Sequence, residues 1–263
     1  MQRRERPCLF VNGGGCRRIK CGQEARSFYR AGELIVDNRT SLTFDYTKRK
    51  GVMHTEIFIP TGVEWKPSRS ELWNAVEAKC KRADSVVARE FELGLPYELS
   101  PELRNALAAR FARHLADTYQ IAVDVCIHGP SDRLDKDGEQ ISDQRNFHAH
   151  VLVSTNMLKP NGTFGNKARA LDAVAHDRNK DTNGKANEVE ELREIWADMQ
   201  NEALAAAGFS DRVDRRDDEE KPRAARLEAG LGGSPWLGRA RRNDSWANAE
   251  LVIANPRFVL RLN

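Results

Sequence analysis

One run near the middle of the chain, Arg145-Asn146-Phe147-His148-Ala149-His150-Val151-Leu152-Val153-Ser154-Thr155, does most to restrict the architecture. Its apolar residues alternate as they do along a β-strand, where residues two apart share a face. His148, His150 and Leu152 therefore lie on one face, with Ala149, Val151 and Val153 on the other. Two imidazoles side by side on a rigid strand are either a ready pair of metal ligands or two ordinary surface histidines beside a buried strand. The run by itself leaves both readings open.

Its neighbours narrow the choice. Residues 121–128 form a second strand, with Ile121, Val123, Val125 and Ile127 on one side and His128 at the end, just before Gly129-Pro130. The polar stretch 131–145 is a long hairpin connection leading straight into the strand that carries His148 and His150. Adjacent antiparallel strands lie about 4.8 Å apart, so this connection brings His128 close to His148 and His150. That is the geometry of a three-histidine metal site. Residues 88–96 make a further strand, with Phe91, Leu93 and Leu95 toward the core and Glu90 and Glu92 together on the opposite side. Residues 52–59 also alternate, with His54, Glu56 and Phe58 sharing a face, and Pro60 closes that strand.

Helices are written between the strands. Residues 22–31 read as a short helix stopped by Gly32, with Tyr29 near its end between Arg26 and Arg30. A tyrosine in that position is, on its own, more often a packed aromatic than a nucleophile. Leu72, Trp73, Val76 and Cys80 have helical spacing after a Ser68 or Ser70 cap. Ser100-Pro101 opens a helix with the stripe Leu103, Leu107, Phe111 and Leu115, on which His114 reads as a surface residue. Residues 188–207 are amphipathic, packing Val189, Leu192, Ile195, Trp196, Met199 and Leu204, and end at Gly208. Residues 7–12 are expected as a short strand, and 34–47 and 156–171 as polar, turn-rich connections. The expected division is one domain over 1–214 and a divergent, flexible tail over 215–263 with a final short element between 251 and 262.

Bulk properties exclude several classes. Five widely spaced cysteines, an odd number, do not make a secreted disulfide framework. The apolar run at Cys8-Leu9-Phe10-Val11 is too short for a signal peptide, and no stretch approaches a membrane span, which points to a cytoplasmic protein. The net charge of +3 announces no global field for nucleic acid. Residues 1–30, however, carry Arg3, Arg4, Arg6, Arg17, Arg18, Lys20, Arg26 and Arg30 against Glu5 and Glu24. That excess either tracks phosphates or forms a solvated face. Lys48-Arg49-Lys50 is a smaller basic block.

Several of these segments, in this order, resemble one known family. They are Ser27-Phe28-Tyr29-Arg30-Ala31-Gly32-Glu33-Leu34, residues 45–56, Leu72-Trp73-Asn74-Ala75-Val76-Glu77, the strand 88–96, Asn146 to His150, and the helix ending Trp196-Ala197-Asp198. Together they resemble the N-terminal relaxase domain of MobA/MobL-type mobilisation proteins, within the His-hydrophobe-His (HUH) superfamily. The resemblance implies an α+β, palm-like fold: a central antiparallel sheet with helices on one face and single-stranded DNA on the other. It implies a bacterial plasmid relaxase that nicks one strand at a transfer origin. Tyr29 takes the place of the family's nucleophile, His128, His148 and His150 that of its metal triad, and Glu90 or Glu92 a supporting role; Glu56 is a lesser candidate. Mg²⁺ or Mn²⁺ is the implied ion, and the implied partners include accessory mobilisation proteins and a coupling protein of a type IV secretion system. The run before Tyr29 and the end past Asp214 diverge from the family pattern, and the connection between His128 and His148 is longer.

These residue types suit such chemistry. Attack by a tyrosine on a phosphodiester leaves a 5′-phosphotyrosine link and a free 3′-OH. A phenol, with a pKa near 10, leaves more readily than an alkoxide, so the link can be resealed. A divalent ion acts as a Lewis acid on the non-bridging oxygens, and a carboxylate behind a histidine fixes its tautomer. Three imidazoles also suit zinc. Basic residues of 1–30, 48–50 and 159–169 could contact phosphates, and Tyr46 could stack on a base. Two other readings remain beside the relaxase: a replication-initiator-type nickase with the same site, and a non-catalytic single-stranded-DNA-binding relic.

Overall fold

The computed structural model describes residues 29–38, 41–79, 85–132, 134, 136–139, 142–171, 188–213 and 258–262. The strand expected at 7–12, most of the helix at 22–31 and the tail as far as 257 lie outside these. Residues 29–31 are helical, and Gly32 follows at φ +68°, a left-handed conformation that ends the turn where the sequence placed its stop.

Eight strands and three long helices follow among the described residues. Strands β1 (Leu34–Asp37) and β2 (Leu42–Asp45) make a separate antiparallel hairpin. The main sheet contains β3 (Val52–Phe58), β4 (Ala88–Leu95), β5 (Ile121–His128), β6 (Phe147–Leu158) and β8 (Phe258–Leu262), in the spatial order β3-β5-β6-β4-β8. Every pairing is antiparallel, and β7 (Phe164–Lys167) adds to the far end of β6. The helices are α1 (Arg69–Lys79), α2 (Pro101–Tyr119) and α3 (Glu188–Ala206). None of the described helices is long and apolar enough to cross a membrane.

Local chemistry sets the boundaries. Ser68 and Glu71 form a capping box at α1: the Ser68 N–H donates to Glu71 Oε2 at 2.8 Å, and the Glu71 N–H donates to Ser68 Oγ at 3.2 Å. The Leu103 N–H donates to Ser100 Oγ at the start of α2. Gln120, in the left-handed conformation, ends α2, so β5 begins at Ile121 with no loop between.

The two faces of the sheet have different partners. Phe91, Leu93 and Leu95 of β4, Val123, Val125 and Ile127 of β5, and Ala149, Val151 and Val153 of β6 pack against α2 and α3. Phe111 of α2 meets Trp196 of α3 edge-on there, ring centroids 5.2 Å apart. This is the expected arrangement of helices on one face. The opposite face is not bare, because α1 and the hairpin cover one end of it with Leu72, Trp73, Val76 and Ile35. A buried ionic cluster sits under this cover. The Arg69 guanidinium donates to Asp124 through Nε and Nη2 at 2.9–3.1 Å and also reaches Glu33, while Trp73 Nε1 donates to Asp124 Oδ2 at 2.9 Å.

Three expectations need correction. Residues 34–47 are a hairpin rather than a turn-rich connection; the unbroken Leu-Ile-Val triplet conceals an alternation in which Ile35 is buried while Leu34 and Val36 are exposed. The 156–171 segment likewise contains the end of β6 and all of β7. Leu103, expected in the α2 stripe, is exposed rather than packed. The final element expected between 251 and 262 is β8, the edge strand beside β4.

Removing one partner of a buried ion pair leaves an uncompensated charge, at a cost of about 3–5 kcal/mol. Asp124→Ala should therefore lower the unfolding free energy by about that amount in urea denaturation. Breaking the exposed Arg110–Glu202 pair with Glu202→Ala should change it by less than about 1 kcal/mol. Equal effects would mean that the buried cluster does not hold α1 to the sheet.

Candidate metal centre

The register of β5 and β6 builds the site. His128, the last residue of β5, pairs directly with His148, and Cys126 pairs with His150, so all three imidazoles emerge on the face opposite α2 and α3. Their ring centroids are 5.4 Å (His128–His148), 4.8 Å (His128–His150) and 5.1 Å (His148–His150) apart. One ring nitrogen from each lies within 4.8 Å of the others, a cluster able to hold a metal ion. His128 and His150 are buried and His148 is partly so.

Each ring is oriented by a specific partner. His150 Nδ1 lies 2.9 Å from Glu90 Oε1, and His148 Nδ1 is 3.1 Å from the Asn146 carbonyl. The His148 contact uses an Nδ1–H, and the Glu90 carboxylate faces Nδ1 of His150, so the Nε2 side of both rings is left for a metal. His128 differs. Its Nε2–H donates to the Arg30 carbonyl at 2.7 Å, and its Nδ1 accepts from Arg49 Nη2 at 3.3 Å. Ligation through Nε2 would therefore require release of the Arg30 carbonyl. A set of three neutral imidazoles is a donor set suited to a divalent transition-metal ion such as Zn²⁺.

Charge favours the neutral, ligating form of all three. Burial, followed by the neighbouring His150, lowers the pKa of His128 from the usual histidine range to about 3. The same two causes, in the same order, bring His148 down to about 4. Burial also lowers His150, against the pull of its hydrogen bond to Glu90.

The other expected residues are arranged around this cluster. Glu90 is buried, and its Oε1 is shared by His150 and by Arg30 Nε at 3.0 Å. Glu92 stands directly across from His150 in the β4–β6 register and is partly buried. Glu56 is elsewhere: it pairs with Val125 on the helix side of the sheet, and its Oε2 is 3.3 Å from His54 Nε2. His114 lies on α2, outside the cluster. Tyr29 is not part of the core; the residue is 43% exposed. It meets Tyr46 edge-on at 5.5 Å, and the Arg49 guanidinium carbon stands 4.0 Å from its ring centroid. Arg30, the next residue, touches both His128 and Glu90.

Sequence reasoning did not single out Arg30 or Arg49. Each was visible only within a basic group that could contact phosphates, Arg30 in residues 1–30 beside Tyr29 and Arg49 as the centre of Lys48-Arg49-Lys50. In the fold Arg49 is partly buried, with exposed lysines on either side.

A His-Ala-His pair on one strand and a third imidazole from the strand beside it are consistent with an HUH site. Comparison with known proteins identifies the family. Residues 24–233 match the MobA/MobL family. The chain is similar to mobilization protein MobL of Acidithiobacillus ferridurans, 41% identical over 201 residues that make up 72% of this chain and 52% of that protein. It is also similar to the conjugal transfer protein TraA of Rhizobium radiobacter, at 26% identity over 89% of this chain and 23% of that one. A solved structure described as the molecular basis of vancomycin resistance transfer in Staphylococcus aureus aligns with a TM-score of 0.58 and 30% identity, covering 74% of this chain and 90% of that one. The chain belongs to the MobA/MobL family of mobilisation proteins. It spans about half the length of the Acidithiobacillus protein and less of the Rhizobium one.

The neutral imidazoles give a pH prediction. Below about pH 6.5 the unfolded chain takes up protons on these histidines, while folded His148 and His128 do not until about pH 4 and 3. The unfolded state then binds more protons, so metal-free stability falls as pH falls through this window, by up to about 1.4 kcal/mol per pH unit per histidine. Urea midpoints measured from pH 7 to pH 4.5 should show this slope, and His148→Asn should make it shallower. An unchanged slope in that variant would contradict the burial described for His148.

Proposed function

We propose that this chain is the nicking domain of a mobilisation relaxase, cutting one DNA strand at a plasmid transfer origin by tyrosine transesterification. The observation that carries the reading is the convergence of His128, His148 and His150 beside the turn that bears Tyr29, with the Arg30 carbonyl hydrogen-bonded to His128. Membership of a family whose relatives are named for mobilisation and conjugal transfer supports it.

In this reading Tyr29 attacks the phosphodiester, forming a 5′-phosphotyrosine bond as the bond to the departing 3′ oxygen breaks. His128, His148 and His150 would hold the divalent ion, Mg²⁺ or Mn²⁺, which would supply charge stabilisation at the phosphate. Glu90, flanked by Arg30 and His150, keeps the His150 proton on Nδ1 and so keeps Nε2 available. Glu92 adds negative charge on the same face, which favours a cation at the triad. Exposure of Tyr29 and its contact with Arg49 favour the catalytic reading over a relic in which that ring is buried in the core. The substrate is single-stranded DNA in the bacterial cytoplasm, and the partners are accessory mobilisation proteins and a coupling protein of a secretion system.

The test is incubation of purified protein with a labelled single-stranded oligonucleotide carrying the transfer origin, with Mn²⁺, followed by a denaturing gel. A covalent protein–DNA band is expected, and Tyr29→Phe and His148→Ala should each abolish it. A band that survives Tyr29→Phe would assign the nucleophile elsewhere, with Tyr46 examined next. Intact DNA binding without any adduct would establish the non-catalytic module. Glu90→Gln should weaken Mn²⁺ binding by about 10–100-fold, the usual cost of losing a carboxylate behind a ligating histidine, as measured by calorimetry.

A further inference from the structure

Arg49 occupies an electrostatically awkward position. It lies in the turn between β2 and β3, where its N–H donates to the Tyr46 carbonyl at 2.9 Å. Its guanidinium stacks on the Tyr29 ring and donates to His128 at 3.3 Å. Arg30, the other guanidinium at the site, is neutralised by Glu90. Arg49 has no carboxylate partner among the described residues, and its buried Nε meets no acceptor there. A cation held against one imidazole of a triad repels any divalent ion that the triad takes up. An anion that bridges the two positive centres relieves that repulsion.

We propose that Arg49 is a phosphate-binding residue that makes uptake of the divalent ion and of the DNA phosphodiester interdependent. The inference rests on the relaxase reading above and assigns it one further residue. A guanidinium offers a planar fork of donors that matches two oxygens of a phosphate. The guanidinium lies over the Tyr29 ring, so the group that anchors the phosphate is held beside the group that attacks it. Each ligand relieves the repulsion met by the other, and by linkage the gain is the same in both directions.

The full chain, its Arg49→Gln and Arg49→Lys variants and His148→Ala would be titrated with Mn²⁺, following the free-ion electron paramagnetic resonance signal, with and without single-stranded oligo(dT). Melting curves would establish that each variant is folded. Without DNA, Arg49→Gln should bind Mn²⁺ about tenfold more tightly, since one unit charge a few ångströms from a divalent ion is worth that much even in a high dielectric. Arg49→Lys keeps the charge and should stay near the parent chain. Oligo(dT) should tighten Mn²⁺ binding at least about fivefold in the parent and leave Arg49→Gln unchanged. Equal or weaker Mn²⁺ binding by Arg49→Gln, a Lys variant that behaves like Gln, or coupling that survives Arg49→Gln would each overturn the proposal. His148→Ala separates the two claims: loss of Mn²⁺ there keeps the triad whatever Arg49 does, whereas Mn²⁺ binding unaffected by His148→Ala overturns the triad and this proposal together.

Discussion

The direct pairing of His128 with His148 across β5 and β6 is the constraint on which the site depends. A slip of one residue would send every side chain of one strand to the other face, and the imidazoles would part. The register is held from the opposite face. There Val123, Val125 and Ile127 stand beside Ala149, Val151 and Val153 under Phe111 and Trp196. Burying these aliphatic side chains favours one alignment, and that alignment is the one that clusters three histidines. The position of a polar site is thus set by apolar packing on the far side of a central pair of strands.

The polar face is divided into two zones with different requirements. At one end α1 and the β1–β2 hairpin exclude water, and Asp124 is matched by Arg69 and Trp73 within hydrogen-bonding distance. At the other end the imidazoles stay neutral because burial disfavours their charge, and Glu90 divides one oxygen between Arg30 and His150. Positive charge from Arg30 and Arg49 borders the triad without quenching it. A face so arranged is suited to a cation held by neutral ligands and to an anion lying across it.

Much of this was legible in the primary structure because it follows strict periodicity. The alternation in 121–128 and 147–153 gave both strands and their buried faces, and the connection between them implied the pairing that gathers the histidines. The alternation of 88–96 likewise put Glu90 and Glu92 on the histidine side. The hairpin at 34–45 was hidden because both strands are only four residues long and the first carries three consecutive aliphatics, which show no period. The roles of Arg30, Arg49 and Asp124 could not be read, because each depends on contacts between segments at least 50 residues apart. The sequence offered the first two only as members of basic groups that could contact phosphates, without their contacts to Glu90, His128 or Tyr29.

The central claim is that strand register alone assembles the metal centre from His128, His148 and His150. Anomalous diffraction from crystals soaked in Mn²⁺, collected near the manganese edge, tests it most directly. The account predicts one strong peak bounded by the three imidazoles, with Glu90 still beside His150 Nδ1. A peak held by carboxylates away from the triad, or no peak among these histidines, would contradict it.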